Sequence, residues 1–113
     1  MAGKFTIYKT DSGKFRFNLK SGNGEIILVS ELYNAKASAK NGIASEKKHA
    51  VDEKYFERKM SKKEQPYFVL KAANHQIIGT SEMYSTESGM ENGIKSVGTN
   101  APDAKVVDET VEE

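Results

Sequence analysis

Apolar and polar side chains alternate along Lys4-Phe5-Thr6-Ile7-Tyr8-Lys9, which sets Phe5 and Ile7 on one face of a strand. Asp11-Ser12-Gly13-Lys14 is turn chemistry, short polar residues with a glycine for positive φ. Phe15-Arg16-Phe17-Asn18-Leu19-Lys20 alternates again and predicts a half-buried antiparallel strand. Ser21-Gly22-Asn23-Gly24 predicts a hairpin turn in which Asn-Gly takes left-handed backbone. Glu25–Ser30 follows as a third strand, apolar on both faces, which predicts that it is central or covered on both sides. After Tyr33 the period changes to about 3.6. Ala39, Gly42, Ile43 and Glu46 form one stripe, so a helix near residues 36–48 lies on the sheet.

The same plan then recurs. Residues 4–50 align with 55–101 at a constant offset of 51, with 15 identities in 47 ungapped positions. They include Phe5/Phe56, Phe17/Phe68, Leu19/Leu70, Lys20/Lys71, Asn23/Asn74, Ser30/Ser81, Glu31/Glu82, Tyr33/Tyr84 and Gly42/Gly93. The second copy predicts strands at Tyr55–Met60, Tyr67–Ala72 and Gln76–Thr80, then a helix near 87–98. Lys105-Val106-Val107 stands after the second helix where Lys54-Tyr55-Phe56 stands after the first. Glu53–Met60 is therefore expected both to close the first unit and to open the second. A unit of this size cannot bury its apolar face alone, so the two should share one core. The expected buried set is Phe5, Phe17, Leu19, Ile26, Ile43, Phe56, Phe68, Leu70, Ile77 and Ile94. Glycine inside a helix costs ~1 kcal/mol relative to alanine. Its recurrence at Gly42 and Gly93 points to a close helix–sheet approach.

The pattern F-x-L-K-x-x-N-x-x-I-I-x-x-S-E-x-Y followed by N-G-I-x-S, in tandem, resembles the YegP-like family of small bacterial proteins. Phe68-Val-Leu-Lys-Ala-Ala-Asn-His-Gln-Ile-Ile-Gly79 is especially similar, and the resemblance spans residues 3–101. It implies β3-α-β units, as a tandem repeat or as two subunits, which share one sheet and exchange their final strands. The expected fold is α+β: two tandem β-β-β-α(-β) repeats, one shared antiparallel sheet, both helices on one face. Residues 1–101 form a single domain of two repeats, 4–50 and 55–101. Residues 102–113 form an acidic C-terminal segment, with a final strand expected near 104–109 and disorder after it. The resemblance leaves function open.

Composition narrows the function classes. Without cysteine there is no disulfide framework, thiolate metal site or cysteine nucleophile. No apolar stretch approaches the ~20 residues of a membrane span, and the start lacks a signal-peptide pattern, so a soluble cytoplasmic protein is expected. The net charge of +1 is unevenly spread: residues 1–101 carry +5 and residues 102–113 carry −4. The basic residues are interspersed with acids along the chain, which argues against specific, high-affinity nucleic-acid binding.

No residue set reads as catalytic, cofactor-binding or metal-ligating. His49 and His75 occupy non-equivalent positions in the two copies, opposite Asn100 and Gly24, and make a poor metal pair. His75 should adopt left-handed backbone at its turn. Glu31/Glu82 and Tyr33/Tyr84 precede each helix. They read as helix-dipole and core-edge residues, or as parts of an enzyme site at the repeat junction. Lys20 and Lys71, with Arg16, Tyr8, Tyr67 and Val69, form either a solvated sheet face or a platform for single-stranded bases. The candidate binding surface is Arg16, Lys20, Asn23, Tyr67, Lys71, Asn74 and His75. The reading is a small non-enzymatic binding or regulatory module, monomeric with internal pseudo-two-fold symmetry, without cofactor or membrane partner. The alternatives are a small enzyme at the junction or a weak single-stranded nucleic-acid binder.

Overall fold

The alternating segments of both repeats enter one sheet. The computed structural model describes residues 3–110. Its elements are β1 (Lys4–Lys9), β2 (Phe15–Lys20), β3 (Ile26–Val29), α1 (Lys36–His49), a 3-10 turn (Glu53–Tyr55), β4 (Phe56–Met60), β5 (Pro66–Lys71), β6 (Ile77–Thr80), α2 (Glu87–Asn100) and β7 (Lys105–Asp108). The strand order is β4-β5-β6-β3-β2-β1-β7. All pairs are antiparallel except β1 with β7, which is parallel and makes the sheet mixed rather than wholly antiparallel. The disorder expected beyond the final strand concerns a tail whose residues 111–113 lie outside the described residues.

The repeats meet at β3 and β6, where Val29 pairs with Thr80. These two positions are 51 apart, so the pseudo-two-fold passes between them. Each helix crosses strands of both repeats: α1 packs on β2, β5 and β6, and α2 on β5 and β3. One core results. It contains Phe5, Phe17, Leu19, Ile43, Phe56, Phe68, Leu70 and Ile94, all buried as expected.

Ile26 and Ile77 are the exceptions. Each is 38% exposed, while Ile27 and Ile78 are buried instead. The cause is a bulge in each repeat. Leu19 pairs with Leu28 but Lys20 pairs with Ile26, and Leu70 pairs with Gly79 but Lys71 with Ile77. An extra residue on one strand moves the side chains beyond it to the other face. β3 and β6 are thus central but covered on one side only. Ser30 and Ser81 secure the far end of each bulged pair. Their hydroxyls accept from Phe17 N–H and Phe68 N–H, at 2.9 and 3.0 Å, and donate to the Glu31 and Glu82 carbonyls at 2.8 Å.

Glu53–Met60 does not close the first unit. Glu53–Tyr55 forms the 3-10 turn, begun by Asp52 accepting from Lys54 N–H, and β4 serves only the second repeat. The hairpin tips also differ from expectation. The left-handed residues are Gly24 and His75, not Asn23 and Asn74. The asparagines instead accept from the N–H two residues on, Glu25 and Gln76, as turn-closing side chains. His75 itself has φ 72°, as its position predicts.

Gly42 and Gly93 admit aromatic rings. Tyr33 stacks on Phe17 with ring centroids 6.0 Å apart, and Tyr84 on Phe68 at 6.2 Å. A Cβ on Gly42 would meet the Tyr33 hydroxyl and would stand 2.9 Å from Phe17 Cε2. The close approach is therefore made first by the tyrosine of the connecting segment and then by the sheet. Gly42→Ala gains ~1 kcal/mol of helix propensity but overpacks this contact at ~1–3 kcal/mol. Net destabilisation is expected, read as a lowered urea midpoint; a raised one would place Gly42 away from the ring.

One core contact breaks the internal symmetry. At the position of Val97 in the second helix the first has Glu46, and it lies over Gly79, the equivalent of Leu28. A Cβ on Gly79 would lie 2.6 Å from Glu46 Oε2 and 2.7 Å from Leu28. Glu46 is fully buried and neither carboxyl oxygen has a hydrogen-bond partner. Burial raises its pKa well above the usual carboxylate range. A pKa higher in the folded than in the unfolded state stabilises the protein below the unfolded value near ~4.3, and that stability is lost as pH rises through the folded value. Glu46→Gln removes the titration. Its stability relative to the parent should grow with pH above ~4.3 in urea melts; a constant difference across pH would show that Glu46 does not titrate between the two states.

Candidate functional site

Both helices cover the same face of the sheet, so the other face is free of them. Alternation and register decide which side chains it carries. Its central row runs Val107, Thr6, Asn18, Val29, Thr80, Val69 and Glu57, each registered with the next. Around this row stand Lys105, Lys4 and Lys20, then Tyr8 with Arg16, Lys59 with Tyr67, and Lys71 with Ile77. At these registered positions the face gathers six cations and one carboxylate. Basic residues that alternate with acids along the chain are segregated by the fold, which reverses the impression of dispersal.

The two halves of this face differ. Near β4 and β5, Glu57 is an ion-pair partner of Lys71 and lies 3.4 Å from Lys59. The hydrogen bond from Lys71, and then Lys59, lowers the Glu57 pKa. These charges are satisfied within the chain. Near β7, β1 and β2, Lys105, Lys4 and Lys20 stand side by side on three adjacent strands. Like charges directly opposite one another destabilise a sheet unless something anionic relieves them.

The adjoining positions add unmet hydrogen-bonding capacity. Thr6 and Asn18 are 3% and 7% exposed, and Thr6 Oγ1, Asn18 Oδ1 and Arg16 Nε have no hydrogen-bond partner among the described residues. Such atoms cost stability unless solvent or a ligand satisfies them. Thr6 opposes Asn18, and Arg16 is two residues away on the same face. This patch and the lysine row are neighbours on β1 and β2.

Each hairpin tip borders a groove. One, of about 510 Å³, is lined by Gly3, Lys4, Ser21–Gly24 and Lys105. The other, of about 540 Å³, includes Lys54, Tyr55, Lys71 and His75. Of the surface expected from the sequence, Asn23 thus borders the first groove, Lys71 and His75 the second, and Arg16, Lys20 and Tyr67 lie on the open face. The Asn74 amide is engaged in its turn with Gln76. Lys4, Lys105, Thr6 and Asn18 escaped sequence reasoning. Period-2 alternation places Lys4, Thr6 and Asn18 on polar faces, but nothing in the sequence shows that β7 pairs with β1.

His49 is a structural residue. Its Nδ1 lies 2.8 Å from the Ser45 carbonyl and its Nε2 accepts from Ala73 N–H at 3.1 Å. This network puts the ring proton on Nδ1. At the equivalent place Asn100 donates to the Ser96 carbonyl.

Glu31, Glu82, Tyr33 and Tyr84 do not form one site. Each tyrosine stacks on its own repeat's phenylalanine beneath its own helix, and both glutamates are exposed well before the helix starts. Their helix-dipole role is accordingly absent; α1 has no acid in its first turn. Burial raises the pKa of both phenols, with Glu46 and Glu31 adding at Tyr33 and Glu82 and Glu25 at Tyr84. A catalytic tyrosine base needs the opposite shift.

A family model described as a domain of unknown function, DUF1508, matches this chain twice, over residues 11–57 and 61–108. The chain belongs to this family. A UPF0339 protein of Acinetobacter baylyi is 54% identical over 110 residues, covering 97% of this chain and 99% of the relative. UPF0339 protein YegP of Escherichia coli K12 is 50% identical over 110 residues, covering 97% and 100%. Two solution NMR structures share the fold. A UPF0339 protein of Shewanella oneidensis has a TM-score of 0.93 at 47% identity, covering all of this chain and 96% of that one. YegP of E. coli, described as a protein of unknown function, has a TM-score of 0.94 at 49% identity, covering 100% and 97%.

The lysine row yields a direct test. Lys4→Glu places a carboxylate between Lys105 and Lys20. In low salt it should raise the urea midpoint, and the gain should disappear near ~1 M salt, where the Debye length is ~3 Å. A midpoint lowered at low salt would show that the three ammonium groups do not repel one another.

Proposed function

We propose that this protein is a non-enzymatic binding module whose open sheet face holds an anionic peptide segment of a partner. One observation carries the reading: three lysines in register beside three buried polar atoms without hydrogen-bond partners among the described residues. Carboxylates of an acidic segment would relieve the lysine repulsion. Thr6, Asn18 and Arg16 would turn outward on binding, so that the segment's backbone N–H and C=O groups meet Asn18 Oδ1, Thr6 Oγ1 and Arg16 Nε, which are buried in the free chain. Tyr8 and Tyr67 supply flat apolar area on either side. The absence of a matched nucleophile, base and orienting group on this face supports binding rather than turnover.

Affinity of this kind is salt-dependent, because much of it comes from exposed ammonium groups. In an NMR titration, an oligoglutamate peptide should shift the amides of Thr6, Arg16, Asn18 and Lys20 at low ionic strength. Arg16→Ala and Lys20→Ala should each weaken binding severalfold. Unchanged affinity in both would remove the open face as the site. Random single- and double-stranded oligonucleotides at physiological salt provide the contrast. Sub-micromolar binding lost on substituting Arg16, Lys20 and Lys71 would assign the face to nucleic acid instead.

A further inference from the structure

The repeats differ in what lies over the phenylalanine that opens each of them. In the first, Lys47 of α1 lies over the Phe5 ring, with Nζ 6.0 Å from the ring centroid, and Phe5 is wholly covered. An ammonium over an aromatic face is attracted by the negative π cloud, while the four-carbon stem covers apolar surface. The equivalent of Phe5 in the second repeat is Phe56, but the equivalent of Lys47 is Gly98. The second ring therefore has no lysine of its own at that position, and it keeps 6% exposure.

The space such a lysine would fill is open. A cavity of about 240 Å³ is lined by Phe56, Ile94, Ala50, Val51 and Gly98, with Glu53, Glu91 and Lys95 as its charged residues. A Cβ on Gly98 would meet one atom within 4 Å, the Ala50 carbonyl oxygen at 3.2 Å. That carbonyl is an unused acceptor. In the second repeat Ala101 C=O accepts from Ala104 N–H at 3.3 Å. After α1 the turn closes one residue earlier, with Asp52 N–H donating to the His49 carbonyl at 3.3 Å, and among the described residues no backbone N–H donates to Ala50.

The charges around the cavity permit a cation without selecting it. Arg58 holds both Glu91 and Glu53. The hydrogen bond from Arg58, with Lys95 one turn away, lowers the Glu91 pKa. The positions equivalent to Glu91, Lys95 and Glu53 in the first repeat are Lys40, Ala44 and Ala104, a lysine with no acid, and Lys47 still lies on its ring. A cation over Phe56 therefore meets less repulsion than Lys47 does. Selection rests on the ring, on the unused carbonyl and on size, since the cavity is smaller than the ~300–1,000 Å³ of typical small-molecule sites and suits a single side-chain-sized group.

We propose that this cavity is a binding site for a primary alkylammonium group, the chemistry of a lysine side chain or of a short free amine, which takes over Phe56 the place that Lys47 holds over Phe5. Its stem packs on Ile94 and Val51, and the walls offer its ammonium the ring and the Ala50 carbonyl. The site lies on the helix-covered side of the sheet and does not depend on the function proposed for the open face.

Three probes test it: n-butylammonium, Nα-acetyl-lysine methylamide and the uncharged Nα-acetyl-norleucine methylamide. Each is titrated at neutral pH and constant ionic strength into the nitrogen-15-labelled full chain. Both amines should shift the amides of Val51, Phe56, Ile94 and Gly98, and the lysine derivative should bind at least about fivefold more tightly than its norleucine counterpart. Gly98→Lys gives the chain its own ammonium at this ring and should abolish the shifts, whereas Gly98→Ala adds only a Cβ and should retain them. Tighter binding of the lysine derivative than of n-butylammonium assigns the site to a protein side chain, and the reverse order assigns it to a free amine. Equal affinity for the norleucine derivative would make the cavity merely apolar and overturn the proposal. So would silence at these amides across the millimolar range, or unchanged amine shifts in Gly98→Lys.

Discussion

The pairing of β3 with β6 is the contact on which the rest of the molecule depends. It joins the repeats into one sheet across Val29 and Thr80, and it sets each helix over strands from both. Half of the chain has three strands and one helix, too little apolar surface to repay the entropy of ordering them. Joined, the halves bury Phe5, Phe17, Phe56 and Phe68 under a common roof. Edge-to-face contacts of Phe5 with Phe17 and Phe56 with Phe68 repeat on both sides of the axis, at 5.8 and 5.6 Å. The helix glycines belong to the same arrangement, since Tyr33 and Tyr84 can close over the core only where the helix lacks a side chain.

Symmetry makes the departures from it informative. Glu46 and Gly79 stand where the other repeat has Val97 and Leu28, and Leu28 itself fills part of the space over Gly79. Burial of an unpaired carboxyl there does not improve stability. Lys36 and Glu87 invert a charge at equivalent helix starts. β7 covers one edge, and among the described residues no strand covers the other. Each difference lies where two copies of one sequence have been given different surroundings.

The open face shows how topology converts composition into electrostatics. A chain with 17 basic and 16 acidic residues has almost no net charge, yet one surface carries six cations against one carboxylate. Half of that surface is neutralised internally by Glu57. The other half keeps Lys105, Lys4 and Lys20 abreast, next to buried polar atoms with no hydrogen-bond partner among the described residues.

Much of this was legible in the residues alone. The 51-residue offset, the alternating strands and the Ala39–Gly42–Ile43–Glu46 stripe determined the element types, their order and the shared core, because periodicity records which side of an element is buried. His75 declared its left-handed turn through its equivalence to Gly24. Three things required the tertiary structure. The bulges at Leu19/Lys20 and Leu70/Lys71 shift register by one residue, and no local pattern distinguishes Ile26 from Ile27 as the one that turns outward. The partner of β7 lies a hundred residues away, so the lysine row and the bare edge of β4 arise only when the ends of the chain meet. The stripe puts Glu46 on the sheet-facing side of its helix; only Gly79, contributed by the other repeat, makes room for its carboxyl inside the core.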